Sequence, residues 1–332
     1  MSSSILTNAS ALTALRSLSA TNRSLETVQT RISTGLRVAE AADNAAYWSI
    51  ATTMRSDNQA LSTVQDALGL GASKIDTAYT AMNQTIERTK EIRVKLVAAV
   101  GATGGDKDKI QTEIASLQRQ LKSFADSATF SGANWLSVNA TVAAGHSAAG
   151  VHNNAEIVSS FNRAADGTVS LGKINIPVQT IKLYDAAATT NATRGIVEGL
   201  RLATSGVRDN TATTAVAGTV AGTDGYAVST LTVVGFTDAQ VTQMINVVDK
   251  ALTEMADAAT VLGAAKKQTD LQKSFTQSLM DSIERGVGQL VDADMNKEST
   301  RLQALQVQQQ LGVQALSIAN GSSQSLLSLF QR

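Results

Sequence analysis

The chain has 332 residues, 43% of them hydrophobic but only 4% aromatic, so small Ala, Thr and Ser must fill much of its interior. That composition suits thin helical layers better than a thick globular core. The 28 basic and 28 acidic residues cancel and form no long run of either sign, which removes the electrostatic footprint of nucleic-acid binding. With no cysteine, disulfides and thiolate metal sites are excluded, and a single proline, Pro177, leaves long helices almost free of breakers.

Residues 1–15 carry no charge, and the first residues lack the basic and apolar regions of a secretory leader. Leu18, Leu25 and Ile32 follow seven apart, with Leu12, Leu15 and Val28 beside them. This predicts a first helix from Thr7 or Ser10 to Ile32, ended near Gly35. Asp43 and Asn44 can cap a second helix over 44–99, where Met54, Leu61, Leu68, Ile75 and Met82 fall seven apart without exception, with Ile50, Val64, Ala78 and Ile92 as second positions. Its 56 residues would span about 84 Å at roughly 1.5 Å per residue. Gly101, Gly104 and Gly105 end it. Asp106 or Asp108 then caps a third helix carrying Ile110, Ile114, Leu117, Leu121 and Phe124, which should fold back antiparallel.

Over 139–235 the pattern changes. Val169 with Leu171, then Ile174, Ile176 and Val178, alternate as β-hairpin strands after a turn at Asp166 and Gly167. A short helix is expected over 193–204, with Ile196, Val197 and Leu200 on one side, and an exposed loop over 211–225. Thr237 and Gln240 form a capping-box pattern. Val241, Ile245, Val248, Leu252, Met255, Ala259 and Leu262 then step by four and three, and Leu271, Phe275, Leu279 and Ile283 continue after a phase shift. Gly286 and Gly288 are expected to punctuate the run before a terminal helix.

Residues 302–331 hold no charged side chain but eight glutamines, with apolar positions at Leu302, Leu305, Leu316, Ala319, Leu326 and Phe330. Glutamines, Asn320 and serines interrupt every apolar run, so no stretch of about 20 apolar residues is available to span a membrane. An uncharged helix of this kind gains its stability by packing a face against a partner. The uncharged amino end is the obvious one. The expected fold is mainly α: an elongated rod of long antiparallel coiled-coil helices from both chain ends, with a small central insert containing a β-hairpin. The expected domains are 1–42 with 286–332 as a terminal coiled coil, 43–185 with 237–285 as a helical rod carrying the hairpin, and 186–236 as an outer insert.

Sites for chemistry are scarce. Gly167, Gly172 and Lys173 spell a near P-loop, but Ile174 stands where Ser or Thr must bind magnesium. His146 and His152 have only Glu156 as a nearby carboxylate, and read as surface residues rather than a metal site. Asp292 and Asp294, two apart on a helix, would not face each other and read as capping or interface residues. No catalytic residue, cofactor or metal site is expected.

Ile5 to Asn8 with Ala11, Leu12, Leu15, Arg16 and Leu18, then the run from Arg31 to Arg37 and Ala42 to Ala46, resemble the amino end of bacterial flagellin. Phe130, Ser131 and Gly132 resemble that family's Phe-Asn-Gly corner. Asp292 to Met295 with Glu298, Gln308 to Gln310, Ala319, Asn320 and Leu326 to Phe330 resemble its carboxyl end. The likeness covers 1–138 and 237–332, and Asn44, Tyr47 and Trp48 look like the alphaproteobacterial branch.

The resemblance implies a structural subunit, not an enzyme, that polymerises with itself into the extracellular flagellar filament of swimming cells. It implies export through the flagellar type III apparatus without a cleaved leader, a dedicated chaperone on the carboxyl end, addition beneath a filament cap, and contact with hook-junction proteins. Other flagellins sharing the filament stay open. Filament-core assembly would fall to Leu12, Leu15, Leu18, Leu25, Ile32, Leu302, Leu305, Leu316, Ala319, Leu326 and Phe330. Rod packing would fall to Met54, Leu61, Leu68, Ile75, Met82, Val241, Ile245, Val248, Leu252, Met255 and Leu262. The alternatives are a hook-filament junction protein of the same family and an unrelated coiled-coil oligomer.

The segments that host receptors read in this family depart from its pattern. Ser33, Gly35 and Asp43 match the stretch read by the plant receptor, but Asn44, Tyr47 and Trp48 do not. Arg88, Glu91 and Glu113 match the animal Toll-like receptor's segment, whereas Arg93 and Lys95 replace Ala and Gln. Both receptors are expected to recognise this chain weakly.

Overall fold

The computed structural model describes residues 8–330 except 145 and 165, and side chains as far as residue 321. The chain forms α1 (Ala9–Thr34), α2 (Ala45–Ala99), α3 (Gly104–Ser127), the short strands β1 (Thr129–Phe130), β2 (Ala133–Asn134), β3 (Ser137–Val138), β4 (Ala155–Arg163) and β5 (Val169–Ile176), the single turn α4 (Val178–Ile181), the strands β6 (Tyr184–Asp185), β7 (Arg201–Leu202), β8 (Thr213–Thr214) and β9 (Asp224–Tyr226), then α5 (Asp238–Val291) and α6 (Met295–Phe330). It is mainly α with a small β-containing insert. It divides into two compact units, Met1–Gln59 with Leu279–Arg332, and Ala60–Ser278.

In the first unit, Asn8 caps α1 by accepting the Ala11 N–H at 2.9 Å. Gly35, at φ 72°, closes the helix, with its N–H on the Arg31 carbonyl. The left-handed conformation there costs glycine little. The cap of α2 is Asn44, whose Oδ1 accepts from Tyr47 N at 3.1 Å, while Asp43 turns back to accept from Ala39 and Glu40. Val38, Ala51, Val287 and Val291 form the core of this unit, packed by Leu36, Met54, Ile283 and Leu290. The helix uses Ala51 there and leaves Ile50 exposed.

Gly286 and Gly288 do not punctuate the return helix: α5 runs through both to Val291. Each glycine costs roughly 1 kcal/mol in a helix interior, which burial of Val287 and Val291 on that core offsets. The break falls at residues 292–294. There Asp292 pairs with Leu36 as an isolated bridge, and Asp294 caps α6 through Asn296 N and Lys297 N at 3.0 and 3.2 Å. These aspartates therefore sit in a connector rather than on a helix, and Asp294 has the capping role.

The second unit centres on the heptad face of α2. Val64, Leu68, Ile75, Ala78, Met82 and Ile92 are buried against Ile114, Leu117 and Leu121 of α3 and against Val241, Val248, Met255 and Leu262 of α5, and Leu61 is buried as well. Ile245 and Leu252 pack at the margin of this core. The residue at the α3 cap is Thr103, not Asp106 or Asp108. Its hydroxyl donates to Asp106 in the first turn. Thr237 and Gln240 form the reciprocal capping box, and the wholly buried Gln240 amide also donates to the Val216 and Thr219 carbonyls, latching the outer loop.

The hairpin pairs β4 (Ala155–Arg163) with β5 (Val169–Ile176), antiparallel, with an irregularity between Val158 and Ser160. Gly172 and Lys173 lie inside β5, and Lys173 pairs with Glu156 across the strands, so the near P-loop is a hairpin strand. His146 and His152 are half-buried with rings 4.2 Å apart. After α4 (Val178–Ile181), the expected helix over 193–204 is absent. Ile196 N and Val197 N bond to the Lys182 and Leu183 carbonyls instead, and β7 (Arg201–Leu202) pairs with β9 (Asp224–Tyr226). Burial of Ile196 and Val197 produced the helix-like spacing. Gly195 permits the close approach, since a Cβ there would stand 2.0 Å from the Leu183 carbonyl oxygen. Gly195→Ala is expected to destabilise the chain by about 1–3 kcal/mol, read as a lower urea midpoint; an unchanged midpoint would show the backbone yielding without cost.

The loop expected over 211–225 is only partly exposed. β8 (Thr213–Thr214) runs parallel to β9, and Ala212, Ala215, Asp224 and Tyr226 are buried. Two ion clusters pin this region. Lys182, with no side-chain exposure, donates to Asp185 at 2.6 Å and to the Gly150 carbonyl at 2.7 Å. Burial pushes the Lys182 ammonium below its usual range. Burial would raise Asp185, but hydrogen bonds from Lys182 and from the Ala140 and Ala187 N–H groups outweigh it and hold the carboxyl low. Arg201, also fully buried, makes two 2.7 Å bonds to Glu254, and Arg208 adds a third at 3.2 Å.

Candidate assembly interface at the chain ends

Helices α1 and α6 pack along each other. Their contact is built from small and aliphatic side chains. Val28 and Leu305 are buried, while Leu18, Leu25, Ile32, Leu302, Leu316 and Ala319 are half-buried. Leu18 Cδ1 reaches within 3.2 Å of the point where Gly312 would carry a Cβ. A groove lined by Ala9, Ser10, Thr13, Ala14, Gly312 and Ala315 runs beside this seam.

Polar crosslinks set the register. Asn8 Nδ2 donates to the Ala319 carbonyl at 2.8 Å, Gln309 Nε2 donates to Asn22 Oδ1 at 2.9 Å, and Arg31 lies 3.6 Å from the buried Glu298. At the base, Arg37 and Val38 N–H groups bond to the Val291 carbonyl, Ala293 N bonds to the Gly35 carbonyl, and the Arg37 guanidinium caps α5 at Leu290 O, 2.8 Å away. A polar residue before an apolar run could have marked Asn8 as the cap, whereas the sequence spacing puts the helix start at Thr7 or Ser10. The capping by Arg37 and the Asn22–Gln309 pair carry no local sequence signal.

Apolar side chains stay open on both helices of the pair. Leu12 and Leu15 are 50% and 52% exposed, and Val307, Leu311, Val313 and Ile318 are more than half exposed. Sequence spacing identified the first two but not the last four, because a single helical period selects one stripe of α6. Leu326 and Phe330 lie outside the described side chains. Among the described residues no helix is long and apolar enough to cross a membrane.

The residues matched to receptor-read segments are dispersed. Ser33, Gly35 and Asp43 surround the α1–α2 connector. Arg88 pairs with Glu91 at 2.6 Å on α2. The two departures are both engaged: Arg93 bonds to Asp249 at 2.8 Å, and Lys95 bonds to Glu113 at 2.5 Å.

The sequence model described as "Bacterial flagellin N-terminal helical region" matches residues 5–141, covering α1 to α3, and the "Bacterial flagellin C-terminal helical region" matches 245–330, covering α6 and most of α5. Flagellin C of Rhizobium meliloti (strain 1021) is 49% identical over 99% of each chain. Flagellin of Brucella melitensis biotype 1 is likewise 49% identical over 99% of each. Flagellin A of Rhizobium meliloti is 42% identical over 99% of this chain and all of its own length. These relatives run the full length of both terminal helices and of the insert between them, and the chain belongs to the bacterial flagellins, the self-polymerising structural subunits of the extracellular flagellar filament.

Proposed function

We propose that this chain builds the filament through its paired ends. The observation that carries the reading is the set of open apolar side chains on α1 and α6, in or beside the uncharged stretches 1–15 and 302–331. A lone subunit leaves Leu12, Leu15, Leu311 and Ile318 in water. Identical neighbours can cover them, and a head-to-tail contact that does not close on itself generates a helical polymer. Each such side chain contributes roughly 1.5–3 kcal/mol when fully buried. In this reading Leu12, Leu15, Leu18, Leu25, Ile32, Leu302, Leu305, Leu316, Ala319, Leu326 and Phe330 form the filament core. Residues 43–185 and 237–285 form the surrounding rod, and residues 186–236 face outward.

The family resemblance extends the proposal to handling. The chain would be exported by the flagellar type III apparatus without loss of a leader, held beforehand by a chaperone on its carboxyl end, and added beneath a cap on filaments begun by hook-junction proteins, alone or with other flagellins. Recognition by host receptors would be weak. Arg93 and Lys95 change the surface, and Lys95 holds the Glu113 carboxylate that the family presents. Robust receptor signalling at nanomolar purified protein would overturn that point.

Negative-stain electron microscopy tests the assembly reading. Purified protein should form long helical filaments that vanish in mild acid and regrow on seeds at neutral pH. Particles that stay discrete even with seeds would favour a junction protein instead.

A further inference from the structure

We propose that Lys182 and Asp185 condense into an intramolecular isopeptide bond, a covalent modification that closes the chain on itself at the end of α4. Both side chains lie at 0% exposure, with Lys182 Nζ 2.6 Å from Asp185 Oδ2. Lys95–Glu113, Lys173–Glu156 and Lys266–Asp76 approach as closely, but each of those side chains is 39–55% exposed, so water competes for both partners. No such competition reaches Lys182.

The surroundings suit the reaction. An amine and a carboxyl held in contact and well oriented act at an effective molarity of roughly 10⁵–10⁸ M. The second carboxyl oxygen is placed for the charge that develops: Asp185 Oδ1 accepts from Ala140 N at 3.1 Å and from Ala187 N at 3.0 Å, two backbone N–H groups arranged as in an oxyanion hole. Glu198 accepts from the Asp185 N–H at 3.0 Å and fixes the backbone that carries the carboxyl, while the Gly150 carbonyl, 2.7 Å from Nζ, aims the amine. Loss of both charges supplies the drive. A sealed ion pair gives up the hydration of two ions, whereas the amide that replaces it is neutral and needs only the partners already present.

Nζ starts with three protons. One crosses the 2.6 Å hydrogen bond to Oδ2, leaving an amine and a carboxylic acid. Burial favours that step by holding the Lys182 ammonium below its ordinary range. Burial also raises the Asp185 carboxyl; the hydrogen bonds that outweigh it begin with the one from Lys182 itself, so the proton the acid needs already lies in that bond. The Nζ lone pair then forms the Nζ–Cγ bond, and the C=O electron pair moves onto Oδ1, where the Ala140 and Ala187 N–H groups receive it. A second proton passes from Nζ to Oδ2, the Cγ–Oδ2 bond breaks, and Oδ2 departs as water. The remaining Nζ–H donates to the Gly150 carbonyl, and Oδ1 keeps both of its donors. The tie then survives acid, which would otherwise protonate Asp185 and break the pair.

Trypsin digestion of the full chain, held for days at neutral pH, followed by tandem mass spectrometry tests this. The expected product is one peptide spanning residues 174–194, uncut after Lys182 and lighter than its sequence by one water, with fragment ions that place the loss across 182–185. Lys182→Met and Asp185→Ala should each restore the full mass. The native chain decides the matter even where a variant fails to fold, because the mass is read on denatured peptides. Cleavage after Lys182 into 174–182 and 183–194 at full mass would overturn the proposal and leave the two residues a permanent ion pair. So would loss of water with Lys182 still cleavable, which marks Asp185 cyclised on its own backbone. Filament assembly does not depend on this bond, so either result leaves the assembly reading in place.

Discussion

Leu316→Asp is expected to leave a helical, soluble subunit that forms no filaments. Leu316 is half-buried in the α1–α6 pair, and no charged residue lies anywhere in 302–331 to receive a carboxylate. Taking an unpaired carboxylate out of water costs several kcal/mol even after the surroundings relax. In the lone subunit the new side chain can turn towards solvent, so the penalty there is small. In a filament every subunit would meet it. A loss of about 1.4 kcal/mol per contact raises the concentration needed for assembly tenfold, so a penalty of several kcal/mol removes filaments at ordinary concentrations. Leu316→Met keeps the volume and should polymerise normally. Seeded assembly followed by sedimentation, with circular dichroism on the supernatant, separates the outcomes. Normal filaments from Leu316→Asp would show that this stripe stays wet and that open side chains such as Leu311 and Ile318 make the contacts alone.

The parts of this molecule that could be read from sequence are those whose signal is local or periodic. Leu61, Leu68, Ile75 and Met82 declare a buried face because a helix returns to the same side every seven residues, and all four are buried. Gly35 and the Thr237–Gln240 box declare helix ends because their chemistry acts within one turn. What failed depends on distant partners. Ile196 and Val197 are spaced as on a helix, yet their N–H groups pair with Lys182 and Leu183. The strand Ala155–Arg163 alternates too weakly to stand out beside its partner. Gly286 and Gly288 read as breakers until Val287 and Val291 are seen packed against Val38 and Ala51. The same limit applies to the interface: one stripe of α6 was legible, whereas Val307, Leu311, Val313 and Ile318 are revealed as open only once α1 covers the other side. Buried Lys182 and Arg201 were invisible because such residues are almost never fully buried unless paired, and Glu254, which pairs Arg201, lies 53 positions away.

That last pairing supports the second large effect: Glu254→Gln should destabilise the second unit by about 3 kcal/mol at neutral pH, towards the lower end of what breaking a buried pair costs. Arg201 has no exposed side-chain surface, and its two 2.7 Å bonds to Glu254 are its only ionic contacts among the described residues; the Gly206 and Ile196 carbonyls, each 3.1 Å away, cannot neutralise it. Removing the carboxylate leaves that guanidinium buried and unpaired and deprives Arg208 of its partner. Glu254 itself is 34% exposed, and water there holds the figure down. The effect has a pH signature with a definite sign. Burial would raise the Glu254 carboxyl, but the hydrogen bonds and charge of Arg201, with the charge of Arg208, outweigh it and hold the group below its ordinary range. A carboxyl depressed in the folded state stabilises fully above its unfolded value, about 4.3, and that stability is lost as pH falls through the lower folded value. The difference between the native chain and Glu254→Gln should therefore be largest at neutral pH and shrink in acid, where the native glutamic acid also becomes uncharged. Urea midpoints of both proteins at pH 7 and across the acid range measure it. A difference that stays constant with pH would mean that shape and packing at position 254, rather than the charge on Glu254, hold Arg201 in place.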